Sequence, residues 1–166
     1  MKPLHSARGR TALLLVALLL GACGGGPPAR TTPAWDPDLP VSTRANDVLF
    51  RALGLVGTPY RYGGNTPASG FDCSGLVGFV YRDAAGLVLP RSSRDIADVD
   101  APKVKRNKLA PGDLVFFGRG SVNHIGIYVG EDRFVHAPTT GGTVRLDALE
   151  GAYWKDNYLY AKRVLR

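Results

Sequence analysis

The sequence predicts an α+β domain in which N-terminal helices pack on a central antiparallel β-sheet. Two observations carry this. Before Pro111-Gly112 apolar residues recur at helical spacing, and after it short β-branched or aromatic runs are separated by Gly and polar turns. A third bounds the size: residues 44–166 suffice for one compact domain with a single core.

The chain opens on Lys2, Arg8 and Arg10, followed by an apolar run from Thr11 to Leu20. At about 10 residues that run is roughly half of what spans a bilayer, so residues 1–23 read as an export signal. Leu20-Gly21-Ala22-Cys23 resembles the lipobox of bacterial lipoproteins, which implies cleavage before Cys23 and a lipid on its thiol. A plain secreted protein, with Cys23 free or paired to Cys73, is the alternative. On the lipoprotein reading Gly24 implies sorting to the periplasmic face of the outer membrane in a Gram-negative cell, and otherwise a cell-membrane lipoprotein. Removing the three basic residues of this segment, which has no acidic ones, lowers the formal charge from +7 to +4. The remaining surplus suits an anionic polymer such as a cell wall, and most of it reads as solvated surface. Export and the lack of a zinc finger or basic-aromatic motif argue against nucleic acid.

Residues 24–43, GGGPPARTTPAWDPDLPVST, lack apolar periodicity and read as a partly extended tether. Arg44 to Val56 then places Ala45, Val48, Leu49, Ala52, Leu53 and Val56 at helical spacing, with Ser42 or Thr43 as cap and Gly57 as stop. The stretch GTPYRYGGNTPASG reads as a loop. Asp72 is placed to cap a helix from Cys73 to about Ala85, with Gly86 ending it. A short helix is expected from Ser92 to Val99.

Strands are expected at Leu114–Phe117, His124–Val129, Arg133–His136, Thr143–Leu146 and Tyr158–Val164. A three-residue loop of Gly130, Glu131 and Asp132 would pair Val129 with Arg133, so even-numbered residues face even-numbered ones. His124 and His136 then share a face, with Gly126 opposite His136 and no side chain between the imidazoles. A loop one residue shorter or longer would separate them.

This geometry matters because Cys73 is the one cysteine left if Cys23 carries lipid. A free thiol has a pKa of about 8.5, which a helix N-terminus and a neighbouring imidazolium lower to about 3 to 4 in papain-like sites. Cys73 is thus the expected nucleophile and His124 its base. His136 is placed to orient that base, and the backbone N–H of Cys73 or Ser74 to bind an oxyanion. A carboxylate at Asp72 opposes ionisation, an effect that its use as a helix cap blunts. Arg91 and Ser92 are candidates to line the cleft, with capping as the alternative for the serine. Asp113 reads as a turn residue. Zinc on Cys73, His124 and His136 is the competing chemistry, but no fourth ligand or CxxC pair accompanies them.

GTPYRYGGNTPASGFDCSGLV, LPRSS, APGDLVFF, HIGIYVG and RFVHAP, in this order, closely resemble the NlpC-type cell-wall cysteine peptidases, a papain-like clan. The resemblance covers nearly all of residues 44–166 and is strongest to single-domain lipoprotein endopeptidases. It implies Cys73 as nucleophile, His124 as base, His136 as the orienting residue, and Tyr60 beside the thiol for substrate or oxyanion. The stretch Asn65 to Asp72 is slightly longer than in those lipoproteins. The implied protein is a monomeric, lipid-anchored peptidoglycan hydrolase without a cofactor. Its bond is a D-Ala–diaminopimelate cross-link in preference to the γ-D-Glu–diaminopimelate stem. A non-catalytic wall-binding lipoprotein, and an amidase, acyltransferase or transglutaminase on the same scaffold, are the alternatives.

Overall fold

The structure, a computed structural model, describes residues 41–139 and 142–165. All belong to one compact unit. The expected signal, the lipid site at Cys23 and the tether up to residue 40 lie outside the described residues.

In chain order the elements are α1 (Val41–Leu53), β1 (Asn65–Thr66), β2 (Gly70–Phe71), α2 (Cys73–Ala85), α3 (Ser93–Asp98) and β3 (Lys103–Val104). A 3₁₀ turn at Arg106–Lys108 leads to β4 (Leu114–Arg119), β5 (Ser121–Gly130), β6 (Arg133–His136), β7 (Arg145–Ala148), α4 (Ala152–Asn157) and β8 (Tyr158–Lys162). Six strands form one antiparallel sheet in the order β3-β8-β4-β5-β6-β7. The predicted α+β class holds.

Alternation along the central strands divides the core in two. Leu114, Phe116, Ile125, Ile127 and Val135 face the helices and are buried with Val48 and Ala52 of α1 and Leu76, Val77 and Val80 of α2. Val115, Phe117, Phe134 and Ala161 point to the other face and pack on Trp154 of α4. Helices were expected on one side only. The six-residue α4 carries too little periodicity to show in the sequence, and Trp154 anchors it to the far face.

Several boundaries move. α1 starts at Val41, inside the segment read as tether, so Ser42 and Thr43 lie within the helix and do not cap it. It ends at Leu53, after which tight turns Leu55 N–H to Ala52 O and Val56 N–H to Leu53 O bury Leu55 and leave Val56 exposed. The 57–70 stretch is not wholly loop, since β1 and β2 pair within it. Thr143 and Val144 fall outside β7, because they bond Pro59 and the backbone at Gly57 and Thr58. That contact ties the loop before α2 to the sheet. α2 itself is as predicted: Asp72 accepts from the Gly75 N–H at 2.7 Å, and Gly86 closes the helix in the left-handed region at φ 62°.

The β5–β6 hairpin reaches the predicted face by a different route. Its loop is two residues, Glu131 and Asp132, both at positive φ, the geometry of a type I′ turn. Gly130 therefore pairs with Arg133, a register that alone would put the histidines on opposite faces. A β-bulge at Val129 absorbs one residue, so Tyr128 pairs with Phe134 and Ile127 with Val135, as predicted. A second irregularity lies at Asn123, between the pairs Phe117–His124 and Gly118–Val122, and re-aims the strand immediately before His124. Gly126 does more than leave space. A Cβ there would meet the Phe134 ring at 2.5 Å, so its absence lets that ring lie over β5.

Candidate active site

The first turn of α2 presents Cys73, a free, part-buried thiol. Burial, and then the Asp72 charge, push its pKa up, against the N–H groups of Ser74, Ile125 and Cys73 itself. Ile125 directly follows His124, so α2 brings the thiol onto β5, the strand that carries that histidine. The expected depression of the thiol is not what the site builds, because desolvation outweighs the helix terminus.

Asp72 is neutralised by its surroundings. Burial opposes its charge, but Arg91 donates to its two oxygens at 2.6 and 3.0 Å, and the N–H groups of Gly75 and Gly63 add 2.7 and 2.9 Å bonds. The balance holds the carboxyl below its usual range. Arg91 also donates to Ser74 Oγ at 2.9 Å, and Ser74 Oγ donates to Asp72 at 3.2 Å. The Ser74 side chain is thus bound into this cluster, while its N–H serves the thiol. Arg91 itself is exposed. Ser92 does not join it: its hydroxyl accepts from the Asp95 N–H at 3.1 Å and caps α3.

Tyr60 is held by its N–H to the Gly142 carbonyl at 2.8 Å. Burial raises its phenol pKa, with the Cys73 charge next in effect.

The two histidines meet as the parity argument required: His124 Nε2 and His136 Nδ1 are 2.9 Å apart. His136 is fully buried. Its Nε2 lies 3.0 Å from Asp147 Oδ2, an oxygen that also accepts from Trp154 Nε1 at 2.7 Å and from Arg145 at 2.9 and 3.2 Å. Trp154 packs against both imidazoles, with ring centroids 5.2 Å from His124 and 4.7 Å from His136. Asp147 and Trp154 were missed in the sequence. The available signal was register: Arg145 pairs with His136, so Asp147 is its diagonal neighbour on the same face. Both nitrogens of His136 are engaged in hydrogen bonds, an arrangement that positions a base; among the described residues no group of three His, Cys, Asp or Glu side chains is arranged to hold a metal ion.

Burial is the first cause that lowers both imidazoles, His124 to about 3, with His136 adding to it, and His136 to about 4, with Asp147 opposing. The folded pKa lies below the unfolded value of 6.5, so the unfolded chain binds the extra proton first. Stability is therefore lost progressively as pH falls below 6.5, down to about 4 for His136. At pH 5 the loss from His136 is on the order of 2 kcal/mol. Urea midpoints at pH 7 and pH 5 check this: the wild type is expected to lose more between them than His136→Gln, and equal losses would refute the assignment.

A helix-borne thiol against a sheet that carries a paired histidine defines the papain-like class of α+β domains. The model of the NlpC/P60 family matches residues 57–163, and the chain belongs to this family and, with it, to the cysteine peptidases. It is 44% identical over 171 residues to the Escherichia coli protein named Murein DD-endopeptidase MepS/Murein LD-carboxypeptidase, covering 92% of this chain and 89% of that one. It is 42% identical over 121 residues to Murein DD-endopeptidase MepH of the same organism, covering 70% of this chain but only 45% of that one. Among solved structures, an NlpC/P60 family protein from Bacillus cereus matches with a TM-score of 0.69 at 31% identity, over 74% of this chain and 40% of that one.

Proposed function

We propose that this protein is a lipid-anchored peptidoglycan hydrolase, a cysteine endopeptidase that cuts the D-Ala–diaminopimelate cross-link. The observation that carries the reading is the capped helix start that packs Cys73 against β5, the strand that carries His124 of the His124–His136 pair. The likeness to relatives named murein endopeptidases supports the substrate class.

The resting site favours neutral partners, since burial raises the thiol and lowers the imidazole. His124 therefore takes the thiol proton as sulfur attacks the amide carbonyl, and the N–H groups of Cys73 and Ser74 receive the oxyanion. That proton passes to the departing amine as the C–N bond breaks. Water, activated by the same imidazole, then hydrolyses the thioester to a carboxylic acid and restores the thiol. On the family resemblance Tyr60 contacts the substrate or the oxyanion.

On the lipobox reading Cys23 holds the chain at the periplasmic face of the outer membrane and the Pro-rich segment lets the domain reach the wall. No helix among the described residues is long and apolar enough to cross a membrane. Cys23→Ala is expected to move the chain out of the membrane fraction.

The test uses two purified substrates, a cross-linked muropeptide dimer and an uncross-linked stem peptide. The reading expects the dimer to be split to monomers, with the activity lost to iodoacetamide and retained in EDTA. Cleavage of the stem alone would move the assignment to the γ-D-Glu–diaminopimelate bond, and cleavage of neither would remove the hydrolase reading.

A further inference from the structure

We propose that Asp147, held in place by Trp154 and Arg145, is a positioning residue that fixes the protonation pattern of the histidine pair, so that the reacting base is Nδ1 of His124. This rests on the hydrolase reading above.

Donors and acceptors along a chain of contacts determine where each hydrogen sits. Trp154 Nε1 and the Arg145 guanidinium can only donate, and both aim at Asp147 Oδ2. Burial opposes charge on this carboxyl, but the Arg145 and Trp154 bonds hold it below the usual carboxylate range, so it is ionised and accepts only. His136 Nε2, 3.0 Å from the same oxygen, must therefore carry a hydrogen. His136 is buried and neutral, which leaves Nδ1 with a lone pair. The 2.9 Å contact from that nitrogen to His124 Nε2 then requires the hydrogen on His124 Nε2. A neutral His124 is left with its lone pair on Nδ1. When Nδ1 takes the thiol proton, the imidazolium keeps its Nε2–H bond to His136, and the carboxylate at the end of the chain faces the new charge. The opposite pattern would protonate Nδ1 and remove the base.

Three elements supply this arrangement. β7 brings Asp147 diagonal to His136, α4 brings Trp154, and β6 buries the middle imidazole completely. The indole also covers both rings, limiting the water that would compete for their nitrogens.

The test reads ring nitrogens directly. In the full chain, solubilised in detergent and ¹⁵N-labelled at histidine, long-range NMR correlations at pH 7 are expected to show Nε2 protonated and Nδ1 bare in both His124 and His136. Asp147→Ala is expected to break this pattern and to lower kcat on the muropeptide dimer by about 10- to 100-fold, with KM nearly unchanged. Asp147→Asn keeps a carbonyl oxygen where three donors converge and is expected to restore most of the rate. Trp154→Phe keeps the ring but removes one donor, and is expected to give a smaller loss. A wild-type His136 protonated at Nδ1, or Asp147→Ala with wild-type kcat and spectrum, would overturn the proposal. If Asp147→Ala does not fold, the wild-type spectrum and Asp147→Asn still decide. If the wild type cuts no dimer, the hydrolase reading falls while the nitrogen shifts still report the tautomers.

Discussion

His124→Ala is expected to lower kcat on a cross-linked muropeptide dimer by about 10³-fold, within the range that a positioned general base contributes. KM is expected to change little, because the imidazole acts on the thiol and the leaving amine and is not required to hold the peptide. The residual rate carries a second signature. Burial and the Asp72 charge raise the Cys73 thiol above its ordinary value, so without a base almost none is ionised at neutral pH. The variant's rate should then climb about tenfold per pH unit from pH 7 to 9 as thiolate forms. The wild type should stay nearly flat there, since His124 is already neutral. A variant with parallel pH dependence, or a loss confined to KM, would remove His124 from the role of base.

Gly75→Ala is expected to be the most damaging small change within the first turn of α2. A Cβ at this position would lie 2.0 Å from the Gly64 carbonyl oxygen and 3.0 Å from Asp72 Oδ1. The first contact sets a Cβ, fixed in place by the helix backbone, against a backbone oxygen, so either the loop or the first turn of α2 must move. The Gly64 oxygen also accepts from the Asp72 N–H at 3.1 Å, and the shift would disturb the cap that fixes Cys73. Overpacking of this kind costs about 1–3 kcal/mol, and a displacement near 1 Å at a reacting atom costs about 10²-fold in rate. Gly78→Ala, one turn further on, is the control. Nothing lies within 4 Å of its added methyl, and alanine favours the helix by about 0.5–1 kcal/mol, so this variant should be stabilised and active. Thermal melts and dimer cleavage on both variants check the pair; equal behaviour would show that the close approach at Gly75 does not matter.

What the sequence revealed, and what it hid, follows from the range of the interactions. α2 was legible to the residue because its signals are local: Asp72 three positions before the N–H that it accepts, and Gly86 in the left-handed region at the end. The shared face of His124 and His136 was also legible, but for a reason that was not. Parity was argued from a three-residue loop; the molecule uses a two-residue turn and recovers the register with a bulge at Val129. Composition does not distinguish these, since Gly130, Glu131 and Asp132 suit both.

Asp147 and Trp154 were hidden for a different reason. Asp147 lies one residue beyond the strand expected at Thr143–Leu146, and its value depends on the β6–β7 register. That register is set in turn by Thr143 and Val144 bonding back to residues 57–59, a contact across more than eighty positions that no local pattern announces. Trp154 sits on a helix too short for periodicity to show. The thiol's pKa was misjudged because helix-end electrostatics are visible in sequence while burial is not, and here burial is the larger effect.

The central claim is that Cys73 attacks cell-wall peptides. The most direct test incubates purified sacculi with the protein and with Cys73→Ala under reducing conditions, digests the glycan strands with a muramidase, and identifies the resulting muropeptides by mass spectrometry. The account predicts uncross-linked muropeptides from the wild type and an uncut profile from Cys73→Ala. Uncut profiles from both proteins would contradict the hydrolase reading, and equal release by both would contradict the role of Cys73.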